Sequence, residues 1–393
     1  MKILDLAEFY SERGGGVRSY LDKLVRAAER HGHEVTVVAP GPRDEETSIG
    51  SAGKVIRYAA PRMPYDPTYH APIGVRRMRH LIRATNPDVL QVSSPFLPVW
   101  VAKSARSSAL RAYVYHSDPI GSYIEPLASR WFPRRFRETL VAPAWAYMRA
   151  VCRQFDVTVV AAHWLEESLK QRGCQRVETA PFGITHGDFG PDRRDDALRR
   201  RLLGTLADDP RARLLLVAGR LAVDKRQARL IEAMLRVAAR RPLGLLLLGD
   251  GPERERLARL GARLPSFHWL GFSKDRAEYA RILASVDGLV HGSVSETYGF
   301  VLAEALASGT PLVVPDVAGA RALGSPECSE SYAAEADPRE IALAIERLLD
   351  RPRDVLSKAA RNRADTLPSM DDHFAALFAL YSERLARLHH SAV

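Results

Sequence analysis

DGLVHGSVSETYGFVLAEALASGTPLVVPD, residues 287–316, contains one strand–helix–strand unit of a parallel sheet. The runs DGLVHGS and PLVVPD have strand length, and the apolar stretch that begins near Tyr298 has helical length. Val and Leu runs without polar alternation are typical of parallel strands, because helices cover such strands on both faces. Two glutamates, Glu296 and Glu304, flank the helix start although their surroundings are apolar. The stretch therefore predicts an α/β fold with two carboxylates that need compensating partners.

The same alternation extends through most of the chain and occurs in two sets. The first set has the strands ILDLAEF, HEVTVVAP, DVLQVSS, AYVYHS and VTVVAAH, and the second has RLLLVAG, LGLLLLGDG and FHWLGF. We predict two Rossmann-like, doubly wound domains that face each other across a cleft, where such sheets bind ligands. The expected domains are residues 1–186 and 187–368, and residues 369–393 form a helix that crosses back to the first domain.

Composition limits the classes of function. The chain has 393 residues and is 46% hydrophobic, which is enough for two buried cores. Its net charge of +10 indicates an anionic partner such as a nucleotide, a phospholipid surface or nucleic acid, although a generally arginine-rich composition gives the same charge. The three cysteines show neither metal spacing nor a disulfide framework. The N-terminus resembles a strand more than a signal peptide, so we expect a cytoplasmic protein whose membrane contact is peripheral.

Three segments are candidate anion sites. The glycines at 14–16 lie between the first strand and the first helix, where backbone amides can meet an anion; a flexible turn is the alternative. Arg220 and Lys225 follow a buried strand and can converge on a diphosphate; two solvated cations are the alternative. The amides of residues 299–301 lie at a helix start and have no acceptor within that helix.

The two glutamates and one histidine are candidates for binding neutral groups. Glu296 can accept hydrogen bonds from hydroxyls but would repel a phosphate. Glu304 is costly to bury without donors, and a ribose diol would supply two; a place at the polar edge of the helix is the alternative. His116 ends the strand AYVYHS, and this position makes a site residue as plausible as the structural role that is commoner for a lone histidine.

These motifs, in this order, resemble the family 4 glycosyltransferases, which are retaining nucleotide-sugar enzymes of the GT-B fold. Glu296 and Glu304 match the E-x7-E motif of that family, and Arg220 and Lys225 match its diphosphate-binding pair. GDGPERERL at 249–257 matches its GxGP turn. YHSDPIGSYIEP and the helix after it look like the branch of mannosyl- and sulfoquinovosyl-transferases that act on diacylglycerol-type lipids.

The resemblance implies a role for each matched position. Glu304 would hold the ribose and Glu296 the 3- and 4-hydroxyls of the donor sugar, while His116 would contact the sugar near its anomeric carbon. The implied catalytic residues are His116, Arg220, Lys225 and Glu296. The implied donor-binding residues are Gly15, Gly16, Gly249, Gly271, Phe272, Tyr298, Gly299, Phe300, Val301 and Glu304.

The activity implied by the resemblance is the retaining transfer of a hexose from GDP-mannose or a UDP-hexose to a lipid or glycolipid acceptor at the membrane surface. The donor would bind the C-terminal domain and the acceptor the N-terminal one, without a metal or a cofactor. One alternative is a transferase that acts on a soluble sugar or another small molecule. Another is a non-catalytic module that binds a nucleotide sugar. Nucleic acid is not an expected partner, because no nucleic-acid-binding module is recognised.

Residues 129–140, SRWFPRRFRETL, are the candidate for a peripheral contact with the inner face of the cytoplasmic membrane. Aromatic side chains interleaved with arginines favour an anionic membrane interface. A solvated helix pair with a buried aromatic edge is the alternative. The side chains concerned are Trp131, Phe132 and Phe136 among Arg130, Arg134, Arg135 and Arg137.

Overall fold

The computed structural model of the chain describes residues 1–10, 16–64, 69–105, 107–125, 128, 133–273 and 275–391. The chain divides into two compact units. The first unit consists of Met1–Phe182 and Met370–Val393, and the second of Gly183–Ser369. Each unit contains one sheet, and these sheets account for the two sets of apolar runs in the sequence.

The sheet of the first unit has eight described strands in the order β3-β4-β2-β1-β5-β6-β7-β8. All neighbours pair in parallel except β3 and β4, which are antiparallel. Strands β5 and β7 are buried along their whole length, as their runs of apolar residues predict. The strands are β1 (Lys2–Leu6), β2 (Glu34–Gly41), β3 (Glu45–Ile49), β4 (Gly53–Ala59), β5 (Val89–Val92), β6 (Leu110–Val114), β7 (Val157–Val160) and β8 (Val177–Thr179).

Helices pack on this sheet, and the last of them comes from the far end of the chain. Helix α1 buries Tyr20, Leu21 and Leu24, which the helical period places on one face. Helix α14 contributes the buried side chains of Phe374 and Tyr381 to the same unit. The helices are α1 (Gly16–Arg30), α2 (Val75–Thr85), α3 (Leu97–Ser104), α4 (Arg134–Cys152), α5 (His163–Gln171) and α14 (Met370–Ser391).

The second unit has a six-stranded, all-parallel sheet in the order β11-β10-β9-β12-β13-β14. The strands are β9 (Arg213–Ala218), β10 (Leu243–Leu248), β11 (Ser266–Gly271), β12 (Gly288–Val290), β13 (Leu312–Pro315) and β14 (Ser329–Tyr332). The helices are α6 (Asp196–Leu203), α7 (Gln227–Ala238), α8 (Arg254–Gly261), α9 (Arg276–Ser285), α10 (Phe300–Ala307), α11 (Ala318–Leu323), α12 (Pro338–Leu349) and α13 (Arg353–Asp365).

Two Rossmann-like units with parallel sheets confirm the predicted fold class. The opening stretch forms β12, α10 and β13, in the predicted order. The elements that are not predicted from the sequence include β3 and α11. Strand β3 is polar and largely exposed, so it lacks a buried apolar face, and α11 is only six residues long. Within the described ranges, we find no helix of the length and apolarity that crossing a bilayer requires.

Candidate functional site

Neighbouring parallel strands of the second sheet end at one edge, and the predicted residues follow them there. Arg220 lies two residues after β9 and Gly249 directly after β10. His291, which the sequence did not predict, lies directly after β12. Because β9 pairs with both β10 and β12, the loops after these strands lie side by side. This carboxyl edge is where doubly wound sheets bind ligands.

Glu296 and Lys225, predicted separately, form an ion pair. The Lys225 Nζ contacts Oε1 of Glu296 and donates to the Ser293 Oγ at 3.3 Å. The Nε2 of His291 lies 3.3 Å from the same carboxylate oxygen. The loop after β9 therefore supplies a cation to a carboxylate on the loop after β12.

This environment keeps the Glu296 carboxylate ionised. Burial favours the neutral acid, but the charge of Lys225 and the nearness of His291 outweigh it and hold the pKa of Glu296 well below its ordinary value. A carboxylate has about four lone-pair sites, and the protein groups above meet it at one oxygen. Glu296 can thus accept further hydrogen bonds from neutral hydroxyls without losing its charge.

The backbone at Glu296 is fixed by a close approach of α11. The Gly319 amide donates to the Glu296 carbonyl oxygen at 2.9 Å. A Cβ on Gly319 would lie 2.7 Å from that oxygen and 2.9 Å from the Tyr298 carbonyl oxygen, so any larger residue would displace the loop. Gly299 caps α10 with a φ of 93°, and Phe300 and Val301 begin the helix as predicted.

Arg220 is held by its own loop. Its Nη2 donates to the Asp224 Oδ1 at 2.9 Å, and its carbonyl oxygen accepts a bond of 2.7 Å from the Gln227 side chain. One third of the Arg220 side chain is exposed, whereas that of Asp224 is 9% exposed. The acid orients the guanidinium, and part of the Arg220 side chain remains exposed.

Glu304 is compensated by protein groups, so its burial does not require a ribose. The Arg276 Nη1 lies 3.1 Å from Oε1 of Glu304, and the Tyr279 hydroxyl donates to Oε2 at 2.9 Å. Arg276 also pairs with Asp188 at 3.0 Å. Each carboxylate oxygen keeps a second lone pair for a ligand hydroxyl. Burial, followed by the charge of Glu304, raises the pKa of Tyr279 well above its ordinary value and keeps the phenol a donor.

Three of the predicted donor-binding residues, Gly249, Gly271 and Phe272, lie at the ends of β10 and β11. Gly249 has a φ of 138°, and a Cβ there would lie 2.0 Å from the Gly219 carbonyl oxygen, so the turn itself requires glycine. The Gly249 amide donates to the Gly271 carbonyl oxygen at 2.7 Å. Next to Gly271, Phe272 is half exposed and offers an aromatic face at this edge.

In the first unit, His116 lies two residues after β6, at the carboxyl edge of that sheet. Its Nε2 is 3.1 Å from the Ser93 Oγ, and its ring meets Tyr20 edge-on with a centroid distance of 4.6 Å. Burial, and next the neighbouring His373, lowers the pKa of His116 to about 3, so the imidazole is neutral. Gly16 begins α1, whereas Gly15 lies outside the described residues.

The proposed membrane segment is only partly described. Trp131, Phe132 and Arg130 lie outside the described residues, and α4 begins at Arg134. On that helix Phe136 and Leu140 are 49% and 43% exposed, and the Arg135 guanidinium lies 4.9 Å from the Phe136 ring centroid.

Several residues of this site escaped sequence reasoning. His291 and Ser293 lie inside the stretch 287–316. Their position just after a buried strand was the one feature of the sequence that indicated a place in the site. Asp224 lies four positions after Arg220. An acid this close to an arginine is common in any chain, so the spacing alone did not predict the pair. Arg276 and Tyr279 are more than twenty residues from Glu304, and only the fold brings them to it.

Comparison with known proteins gives matches along most of the chain. The family description "Glycosyltransferase Family 4" matches residues 14–187, and "Glycosyl transferases group 1" matches residues 212–351. A GDP-mannose-dependent alpha-(1-6)-phosphatidylinositol dimannoside mannosyltransferase of Mycobacterium tuberculosis is 29% identical over 93% of this chain and 92% of its own. A GDP-mannose-dependent alpha-mannosyltransferase of the same species is 30% identical over 83% and 82%.

Among solved structures, a sucrose-phosphate synthase from Thermosynechococcus elongatus superposes with a TM-score of 0.78. It covers 98% of this chain and 100% of its own, at 20% identity, so the likeness concerns the fold alone.

We expect Lys225→Met to lower the free energy of unfolding of the second unit by about 3 kcal/mol, because it leaves the buried Glu296 charge without its cation. The side chains of the pair are 25% and 16% exposed, so water replaces the lost contact poorly. The double variant Lys225→Met/Glu296→Gln should regain most of that loss. Urea unfolding followed by fluorescence measures all three proteins.

Arg256→Met is the matched control, because it breaks an ion pair with Glu253 in which the arginine is 61% exposed. Its cost should stay below about 1 kcal/mol. Equal losses in the single and double Lys225 variants would contradict a charge-dependent pair.

Proposed function

The chain belongs to the family 4 glycosyltransferases and is a glycosyltransferase, and from this premise we propose that it transfers mannose from GDP-mannose to a hydroxyl of a phosphatidylinositol-type glycolipid, with retention of anomeric configuration. Two relatives are named as GDP-mannose-dependent mannosyltransferases, which supports GDP-mannose as the donor. One of these names also includes a phosphatidylinositol glycolipid, which supports the acceptor class. The observation that carries the proposal is the ionised Glu296, which Lys225 and His291 hold at the edge of the second sheet. A buried anion that is still able to accept hydrogen bonds suits the hydroxyls of a sugar and disfavours a phosphate.

In this proposal the second unit binds the donor. Arg220 and Lys225 contact the diphosphate, together with the amides at the start of α10. Glu304 accepts hydrogen bonds from the ribose through the lone pairs that Arg276 and Tyr279 leave available. The base lies against the backbone and the aromatic ring at residues 271–272, and the first unit binds the acceptor.

The chemical step exchanges one bond at the anomeric carbon. The bond from C1 of mannose to the β-phosphate oxygen breaks, and the bond from C1 to the acceptor hydroxyl oxygen forms on the same face. The acceptor hydroxyl gives its proton to the departing phosphate oxygen. Arg220 and Lys225 stabilise the negative charge of the GDP that leaves. His116 and Glu296 orient the sugar ring during this exchange.

The acceptor would be reached at the inner face of the cytoplasmic membrane. Phe136 and Leu140 expose apolar surface on α4 beside the cation of Arg135. Aromatic and aliphatic groups flanked by arginine suit the headgroup region of an anionic membrane. Helix α4 therefore supports a peripheral contact.

We expect the purified protein to transfer mannose from GDP-mannose to a phosphatidylinositol mannoside presented in vesicles, and to release GDP. Glu296→Gln should lower kcat at least about 100-fold, because a preorganised charge is lost from the site. Glu255→Gln, on the exposed face of α8, is the matched control and should keep normal turnover.

Different products would correct different parts of the proposal. Activity with UDP-sugars alone would refute the donor, and transfer to soluble sugars alone would refute the acceptor. A β-linked product in the NMR spectrum would refute retention.

Arg220→Ala should weaken binding of GDP by about 1.5–3 kcal/mol, because a charge-assisted hydrogen bond to the diphosphate is lost. This is roughly a 10- to 150-fold rise in Kd, which titration calorimetry measures directly. Arg213→Ala, at the opposite end of β9, removes an arginine from the same strand and should leave Kd unchanged. Equal Kd values for Arg220→Ala and the unmodified protein would exclude Arg220 from the diphosphate site.

Phe136→Ala/Leu140→Ala should lower binding to anionic vesicles at least about tenfold, or 1.4 kcal/mol, because two apolar side chains no longer insert. Co-sedimentation with phosphatidylinositol-containing vesicles measures the loss. Leu343→Ala/Val355→Ala, which removes two exposed apolar side chains from the second unit, is the control. An equal loss in both double variants would contradict a contact specific to α4.

A further inference from the structure

A buried polar network lies beneath His116, and none of the sequence motifs includes it. Asp5 is the fourth residue of β1 and is completely buried between Leu4 and Leu6. A charged side chain at the centre of a parallel sheet is costly unless the protein satisfies it. The position of Asp5 therefore needs an explanation beyond packing.

Hydrogen bonds connect Asp5 directly to Gln91 and Ser93 and, through Gln91, to α14. Gln91, its partner in the register of β1 and β5, donates to the Asp5 Oδ2 at 2.5 Å. Ser93, directly after β5, donates to the same oxygen at 2.7 Å. Tyr381 of α14 donates to the Gln91 Oε1 at 2.7 Å and so fixes which end of that amide faces Asp5.

The direction of these bonds determines the protonation of His116. A hydroxyl has one proton, and Ser93 gives it to the Asp5 carboxylate. The Ser93 Oγ can then only accept from the His116 Nε2, which lies 3.1 Å away. Because His116 is neutral, its proton resides on Nε2 and its lone pair on Nδ1.

Neighbouring aromatic groups hold the imidazole ring in place. The Tyr20 ring packs edge-on against His116. The Tyr20 hydroxyl is 3.1 Å from the His373 Nε2, and the His373 Nδ1 donates to the Ala180 carbonyl oxygen at 3.1 Å. The His373 Nε2 therefore accepts a hydrogen bond from the Tyr20 hydroxyl. This bond helps to fix the Tyr20 ring that packs against His116.

The hydrogen bonds of this network satisfy only one oxygen of the Asp5 carboxylate. The Asp5 Oδ1 is buried and has no hydrogen-bond partner among the residues that the structure describes. An apolar residue at this strand position would avoid that cost, because the adjacent positions of β1 are already apolar. A polar group that is retained at a cost in stability is expected where function requires it.

We infer that Asp5 and Ser93 are positioning residues that hold the imidazole of His116 as its Nε2-protonated tautomer. This inference rests on the proposed function, in which His116 contacts the sugar. Neither residue touches the substrate in this scheme, and each acts through the imidazole.

The test combines a spectroscopic measurement with kinetics. Long-range proton–nitrogen NMR spectra of the histidine side chains, assigned with a His116→Gln variant, should show Nε2–H for His116 at pH 7. Ser93→Ala should abolish that preference and lower kcat roughly 10- to 100-fold, with the KM for GDP-mannose within about threefold. Ser93→Thr keeps the hydroxyl and should restore both measurements.

Ser94→Ala is the matched control, because Ser94 donates to the buried Glu8 in the same way but does not reach His116. It should leave the His116 spectrum unchanged. Should Ser93→Ala fail to fold, Asp5→Asn replaces it, and we expect the His116 tautomer to shift towards Nδ1–H.

Three results would overturn the inference: an Nδ1–H or doubly protonated His116 in the unmodified protein, an unchanged spectrum in Ser93→Ala, or a loss of kcat without a change in tautomer. A protein without transferase activity would refute the proposed function, while the spectra would still decide the tautomer.

Discussion

The charge of Glu296 is the constraint on which the arrangement of the second unit depends. A carboxylate at the end of a buried strand is stable as an anion only when cations and donors reach it. Lys225 supplies the cation and the His291 Nε2 lies 3.3 Å from the same oxygen, and the two residues come from the loops after two neighbouring strands. The parallel order of β9 and β12 therefore matters because it brings one cation and one anion to the same edge.

Glu296 and Glu304 show how one sequence motif produces two different environments. Glu296 lies in a loop and faces Lys225, so its partner is a flexible ammonium. Glu304 lies inside α10 and is held by Arg276 and Tyr279, which fix both oxygens in direction. The first carboxylate therefore has a mobile partner, whereas the second is fixed at both of its oxygens.

Local patterns predicted the fold well, and long-range contacts limited prediction of the site. Apolar runs of strand length separated by helical periods were sufficient for two parallel sheets, because burial on both faces leaves a strong pattern. Strand β3 escaped prediction because its exposed polar residues leave no such pattern. The two glutamates, Arg220 and Lys225 were recognisable as motifs. The partners of Glu304 and the chain from Asp5 to His116 were not, because the residues involved are tens to hundreds of positions apart.

The connectivity of the first unit also affects how the protein is made. Helix α14 supplies Phe374 and Tyr381 to a core whose described strands all lie before residue 180. Domains usually fold as they emerge during synthesis, the N-terminal one first. Here the second unit is contiguous, so all of its residues have been translated before the first unit receives its last helix. A chain that ends just after Ser369 contains the whole second unit, but its first unit lacks α14 and with it the hydrogen bond that orients Gln91.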